Sequence, residues 1–243
     1  MGPGPWMVQG GADLLAPARR TADADPRRVY HNLSIAIDPE RQLYNGAPGV
    51  VATWLDALAL SPEARVLHIG CGTGYYSAII AEVVGPGGSV VAVDVDEDLA
   101  ERARVTLLDW PTVSVICGDG SRHGAPLDAI VVQAGITHPL TSWLDALAPG
   151  GGIVMPLTVS LPGMSLGKGV TVIARRAGTE FDARVLQMTM IYTALGIRDP
   201  GLEPALGQAM RGFDFMAVRR LRQDPHEKEP ACWLHGPEFC LSR

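Results

Sequence analysis

Three alternating glycines, Gly70, Gly72 and Gly74, and two later aspartates, Asp94 and Asp119, are the residues of this chain whose types and order most directly imply ligand chemistry. Glycine lets a ligand approach the main chain without meeting a Cβ and adopts backbone angles closed to other residues. The spacing G-x-G-x-G departs from the dinucleotide fingerprint G-x-G-x-x-G, whose third glycine would fall at Tyr75, so the turn favours a nucleoside ligand without a pyrophosphate. Asp94 ends an apolar run at the place where an α/β nucleotide fold accepts hydrogen bonds from a ribose diol. Asp119, inside Gly118-Asp119-Gly120, is placed to accept from an exocyclic amine such as that of adenine. His68, Cys71, Val95, Gly120 and Gln133, beside these turns or at the end of the next strand, complete the expected ligand-contacting set.

Such residues need rigid elements to hold them. Residues 66–69 read as a short buried strand running into the glycine turn, and 76–84 as the helix that follows. Further strands are expected at 89–94, 113–117, 127–132, 153–157, 170–174 and 185–191. The last two are joined by a short turn at Ala177-Gly178, so they must be antiparallel and a mainly parallel sheet ends in one reversed strand. Pro48 opens a helix with Val50, Val51, Trp54, Leu55 and Leu58 at helical spacing. Asp96-Glu97-Asp98 supplies a cap and an acidic first turn to a helix whose Leu99, Ala103 and Leu107 share one face. Shorter helices are expected at 140–147 and 202–210.

With these elements in order, the chain resembles a known family. Gly70-x-Gly72-x-Gly74, Asp94, the Gly118-Asp119-Gly120 turn, Leu127-Asp128-Ala129-Ile130-Val131-Val132 and Leu147-Ala148-Pro149-Gly150-Gly151 look like the successive motifs of class I S-adenosylmethionine-dependent methyltransferases. The wording is closest to the protein-L-isoaspartate O-methyltransferases, over about residues 44–195. The resemblance implies an α/β, Rossmann-like sheet of seven strands with helices on both faces, and S-adenosyl-L-methionine as cofactor. The three glycines would then approach its methionine end, Asp94 the ribose and Asp119 the adenine. Two departures stand near that site. Where the family carries a Thr-Ile-Ser-x-Pro-like entry this chain reads Tyr44-Asn45-Gly46-Ala47-Pro48, and His68 replaces the acidic residue usual before the glycine turn.

Methyl transfer from a sulfonium is an in-line displacement that depends on positioning and exclusion of water. A carboxylate acceptor is already ionised at neutral pH and needs no general base, in keeping with the lack of an evident Asp/His or Lys dyad. An alcohol or phenol would need one, and His138 is the first candidate. Asn45, Thr137 and His138 are the acceptor-side residues expected from loops facing the carboxyl ends of the strands. His68 reads as a strand-end histidine bonded to neighbouring backbone, or as a contact to the methionine moiety or a water.

The chain's 243 residues, 47% hydrophobic and 19% charged, suffice for one large core. A net charge of −6 argues against an electrostatic grip on nucleic acid. No apolar run approaches a membrane span and the N-terminus lacks signal-peptide order, so a cytoplasmic location is the default. Of the four cysteines, Cys232 and Cys240 together with His235 could supply three metal ligands. No fourth is at hand, and no metal is expected. Residues 1–47 form an N-terminal arm and substrate-side cap in which Leu14 and Leu15 suggest at most a short helix; 48–198 form the cofactor domain; 199–243 form an extension without family motifs. The resulting expectation is a carboxyl methyltransferase acting on a peptide or protein. A small-molecule O- or N-methyltransferase, a cofactor-binding regulator without catalysis and an NAD-dependent oxidoreductase stay open as alternatives, and so does the oligomeric state.

Overall fold

The computed structural model describes residues 4–10, 17–122 and 126–243; Leu14 and Leu15 lie outside them. The N-terminal segment contains strands β1 (Met7–Gly10), β2 (Arg19–Arg20), β3 (Leu33–Asp38) and β4 (Leu43–Tyr44), which form a small antiparallel sheet in the order β2-β1-β3-β4. The sequence reading of residues 1–47 as an arm and cap placed no strand there. The β3 strand escaped notice because only its first half is buried, Leu33 and Ile35 packing on Val8 in a core of their own.

The rest of the chain alternates helices and strands. In order come α1 (Pro48–Leu58), β5 (Arg65–Ile69), α2 (Tyr75–Val84), β6 (Ser89–Asp94), α3 (Glu97–Thr106), β7 (Val113–Cys117), β8 (Leu127–Val132) and α4 (Thr141–Ala146). Then follow β9 (Leu147–Ser160), β10 (Leu166–Ala177), β11 (Glu180–Tyr192), α5 (Glu203–Arg211), β12 (Arg220–Arg222), β13 (Cys232–His235) and β14 (Cys240–Ser242). Ten of these strands make one sheet in the order β13-β14-β12-β11-β10-β9-β8-β5-β6-β7. From β9 to β7 all neighbours are parallel, as the α/β, Rossmann-like reading requires.

Two details correct the expectation. The reversed strand is the sixth of the expected seven, β10, antiparallel to β9 on one side and β11 on the other. The extension also adds three more strands to the β11 edge rather than standing apart, since β11 offers a free ladder and Phe181 and Asp182 pair with Leu221 and Arg220.

A strict period of two sorts the strand side chains onto two cores. Leu67, Ile69, Ile130, Val132, Ile153, Met155 and Leu157 join Trp143 of α4 and Leu206 of α5 on one face. Val66, Ala129, Val131, Val154 and Ile173 meet Trp54 of α1 and Ile80 of α2 on the other. Each fully buried large side chain contributes about 1.5–3 kcal/mol of apolar burial, so these two layers hold the sheet rigid at its carboxyl edge. Among the described residues no helix is long and apolar enough to cross a membrane.

The third glycine of the turn has a packing duty. Gly74 has φ +87°, and a Cβ there would sit 2.7 Å from Leu107 Cδ1, so only glycine lets the start of α2 close on the end of α3. Gly74→Ala is expected to cost about 2–4 kcal/mol, from left-handed strain plus overpacking, read as a lowered urea midpoint with unchanged slope.

Candidate functional site

The strand order reverses between β5 and β8, and a cleft opens there at the carboxyl ends of β5 to β8, the position where doubly wound sheets bind ligands. It holds about 970 Å3 of space open to solvent. Main-chain bonds lock its floor. The Gly70 and Cys71 N–H groups donate to Val93 O at 2.8 and 3.0 Å, Gly118 N–H to Asp94 O at 2.8 Å, and Gln133 N–H to Ile69 O at 2.7 Å.

Asp94 is buried, and its side chain organises the turn. Its Oδ2 accepts the Gly72 N–H at 2.7 Å and its Oδ1 the Asp96 N–H at 3.1 Å. Burial raises its pKa, and those backbone donors oppose the rise. Each oxygen keeps a lone pair for a further donor. Asp119 is the contrasting carboxylate. Ser121 donates both its hydroxyl, at 2.7 Å, and its N–H, at 2.9 Å, to Asp119 Oδ1, which holds the pKa below the usual range. That leaves Oδ2 without a hydrogen-bond partner among the described residues.

The remaining walls come from far along the chain. Ile37, Arg41 and Leu43 enter from the N-terminal sheet, and Tyr192 and the loop after β11 close the opposite side. Arg41 ion-pairs with Asp96 at the start of α3, and Tyr192 Oη donates to Gln42 O, so the β3–β4 turn straps both sides of the cleft. Arg198 donates to Gly135 O and Thr158 O and pairs with Glu203, which holds the loop after β11 in place. Sequence reading missed this wall, because nothing local marks residues that meet the cleft only through β10 and β11 folding back.

A model of the protein-L-isoaspartate(D-aspartate) O-methyltransferase family matches residues 19–192, from β2 to the end of β11. The chain belongs to this family. The protein-L-isoaspartate O-methyltransferase of Ignicoccus hospitalis is 43% identical over 93 residues, 36% of this chain and 44% of the relative. That of Methanothermobacter thermautotrophicus is 38% identical over 112 residues, 44% of this chain and 51% of the relative. The chain thus matches about half the length of these curated relatives. A solved protein-L-isoaspartate O-methyltransferase superposes with a TM-score of 0.58 at 24% identity, covering 73% of this chain and 55% of that one. A structure of a putative protein-L-isoaspartate O-methyltransferase from Plasmodium falciparum, in complex with S-adenosyl-L-homocysteine, gives 0.54 at 16% identity, covering 68% and 81%. These two likenesses support the methyltransferase fold.

Within this isoaspartate methyltransferase fold, Asn45, Gly70, Cys71, Gly72, Asp94, Val95, Asp119 and Gln133 line the cleft. Burial and the Asp94 charge push the Cys71 thiol up. Gly74, Gly120 and His68 lie behind the lining. Gly120 presents its carbonyl to Trp143 Nε1–H at 2.7 Å, which anchors the Gly118-Asp119-Gly120 turn to α4.

Thr137 and His138, expected on the acceptor side, stand apart from the lining residues. Thr137 is fully buried, its hydroxyl bonded to His138 Nδ1 at 2.8 Å and accepting the Asp199 N–H at 2.9 Å, while the His138 ring stacks on Phe239. The added C-terminal strands bring Phe239 over this loop, so the pair packs against the extension. Asn45 keeps its place at the wall, but its Oδ1 already accepts the Ile35 N–H at 2.9 Å.

His68 also behaves unlike its first reading. Its partners are side chains, Ser77 Oγ at 2.8 Å from Nδ1 and Gln133 Oε1 at 3.0 Å from Nε2. The Gln133 amide donates to Asn45 O at 3.0 Å, so its oxygen must face His68 and accept from Nε2–H. The proton on Nε2 is thereby fixed, and because burial disfavours a second proton, Nδ1 accepts from the Ser77 hydroxyl in the neutral ring. Burial depresses its pKa to about 4. Because the unfolded chain takes a proton near pH 6.5 and the folded chain does not, stability falls as the pH drops from about 6.5 to about 4. The expected slope from this residue is roughly 1 kcal/mol per pH unit. His68→Gln should flatten the fall in urea-derived stability across that window, and an unchanged slope would show that His68 is not held neutral.

Proposed function

We propose that this chain is an S-adenosylmethionine-dependent O-methyltransferase acting on a carboxyl group of a peptide or protein, of the isoaspartate or aspartate type. The observation that carries the proposal is the convergence of the open glycine turn, Asp94 and Asp119 on one cleft, within a chain of this family. The cleft suits the cofactor on its own chemistry. A Cβ on Gly72 would already crowd Ile37 at 3.3 Å, which marks a surface kept bare for close approach. Asp94 has acceptor capacity for a diol, Asp119 Oδ2 has capacity for an amine, and Ile69, Val95, Leu99 and Ile197 supply apolar wall.

When bound, S-adenosylmethionine supplies an electrophilic methyl group. The protein's part is positional. Asp94 and Asp119 anchor the sugar and base, Gly70 and Gly72 let the amino-acid end lie against the backbone, and the Arg41–Asp96 strap limits access of water. Among the described lining residues there is neither histidine nor lysine, which favours an acceptor that arrives already ionised. A second cavity of about 520 Å3 shares Tyr44, Gln133 and Tyr192 with the cleft and is further lined by Ser34, Gly46, Leu166 and Met190. We assign it to the acceptor. Gly46, at φ +80°, lines this second space without a side chain beside the shared Tyr44 and Gln133. For location we retain the cytoplasm, where the exposed Cys117 stays a thiol.

Asp94→Ala and Asp119→Ala should each weaken S-adenosylhomocysteine binding at least tenfold by calorimetry while circular dichroism stays unchanged. Unaltered affinity in both folded variants removes the assignment. Labelled cofactor should transfer a base-labile methyl ester to an isoaspartyl peptide; label appearing only in small metabolites would favour the small-molecule reading. Met190→Trp, which narrows the second cavity, should raise KM for the peptide about fivefold or more and leave cofactor affinity within twofold, and a change in cofactor affinity instead would place the acceptor elsewhere.

A further inference from the structure

The C-terminal extension gathers four side chains that the sequence does not present as a group. His226, Cys232, His235 and Cys240 bring one ligating atom each into a cluster in which all lie within 4.8 Å of one another. The expectation of no metal rested on a missing fourth ligand. The loop between β12 and β13 curls back and supplies it as His226.

We propose that these four residues bind one zinc ion in a closed, structural Cys2His2 site. A tetrahedron with metal–sulfur bonds of about 2.3 Å and metal–nitrogen bonds of about 2.0 Å has edges of roughly 3.3–3.8 Å. Cys232 Sγ and His226 Nε2 already stand 3.7 Å apart, and drawing in the longest separation takes about an ångström of side-chain settling. The orientation of the His226 ring fits. His226 Nδ1–H donates to Asp224 O at 2.8 Å, which leaves Nε2 as the lone-pair nitrogen facing the sulfurs, the outer-shell arrangement that orients a metal-binding histidine. His235 Nδ1 is buried without any hydrogen-bond partner, a cost that a metal bond removes. Both thiols are free and buried.

The mixed sulfur and nitrogen donor set in tetrahedral reach selects zinc over hard cations. On binding, each thiol releases its proton to solvent, and two thiolates balance the dication, so the site is neutral. Arg222 donates to His226 Nε2 at 2.7 Å and has to release that atom when the metal enters. Its guanidinium already lies 3.4 Å from Asp224, which can retain it, and a neutral centre does not repel it.

The position explains the use. The β13 strand is the free edge of the ten-stranded sheet, and the loop before it has little apolar anchorage of its own. A metal tying that loop to both strands of the β13–β14 hairpin staples the extension. The same hairpin supplies Phe239 to His138 and Glu238 to Thr141, so it braces the loop that follows β8.

The test uses the full chain without an affinity tag, purified under thiol-protecting conditions. Elemental analysis should give about one zinc per chain. Cobalt substitution should give the intense d–d bands of a tetrahedral site together with thiolate charge transfer. Cys232→Ser and Cys240→Ser should each lower the zinc content at least tenfold, while Cys117→Ser, in the exposed cysteine outside the cluster, keeps it. Chelation should lower Tm by about 5 °C or more, reversed by zinc alone. The wild-type stoichiometry and the cobalt spectrum decide the matter even where a variant fails to fold. Absence of both after incubation with the metals, retention of zinc by a folded Cys240→Ser protein, or a Cys232–Cys240 disulfide in thiol-blocked freshly isolated protein overturns the proposal.

Discussion

A carboxylate taken out of water must be given hydrogen bonds, and Asp94 receives them from the main chain of the turn it faces. The bond from Gly72 fixes the glycine turn, that from Asp96 fixes the start of α3, and the backbone of Asp94 itself accepts from Gly118 in the next turn. Three strand tips are thereby joined through one residue. The cleft is thus a by-product of satisfying a buried charge, and a ligand hydroxyl is the natural complement to the lone pairs that the protein leaves over.

Behind that turn the protein makes a different choice. It buries a histidine, His68, and burial favours the uncharged form. Ser77, His68, Gln133 and Asn45 form a relay from the interior of α2 to the wall of the cleft. The relay fixes the Gln133 amide, which borders both cavities, so a substitution in the interior bears on the shape of the site without touching a ligand.

Two edges of the fold bear on the cleft and on the loops around it. At one side the small N-terminal sheet reaches across the cleft through Arg41 and Gln42; at the other, three added strands extend the main sheet and draw Thr137 and His138 into structural service. A histidine in a loop near the expected active site is a reasonable base by chemistry alone. In the fold its ring stacks on Phe239, burial lowers its pKa, and its Nδ1 is bonded to Thr137.

The amino-acid sequence by itself determined the central layer: the apolar runs that become β5 to β11, the helices between them, the bare glycine turn and the two carboxylates at strand tips. Those features are local, written in period-two alternation, helical spacing and the steric freedom of glycine. Tertiary structure alone decided the rest. The short edge strands carry too few buried residues to show a period, the reversed strand's place depends on which neighbour it pairs with, and the far wall of the cleft depends on a chain reversal. The partners of His68, the stacking of His138 on Phe239 and the meeting of His226 with Cys232, His235 and Cys240 all arise from contacts between residues set side by side only when the chain folds. A side chain's protonation and ligating capacity follow from the dielectric and donors around it, and those belong to the fold.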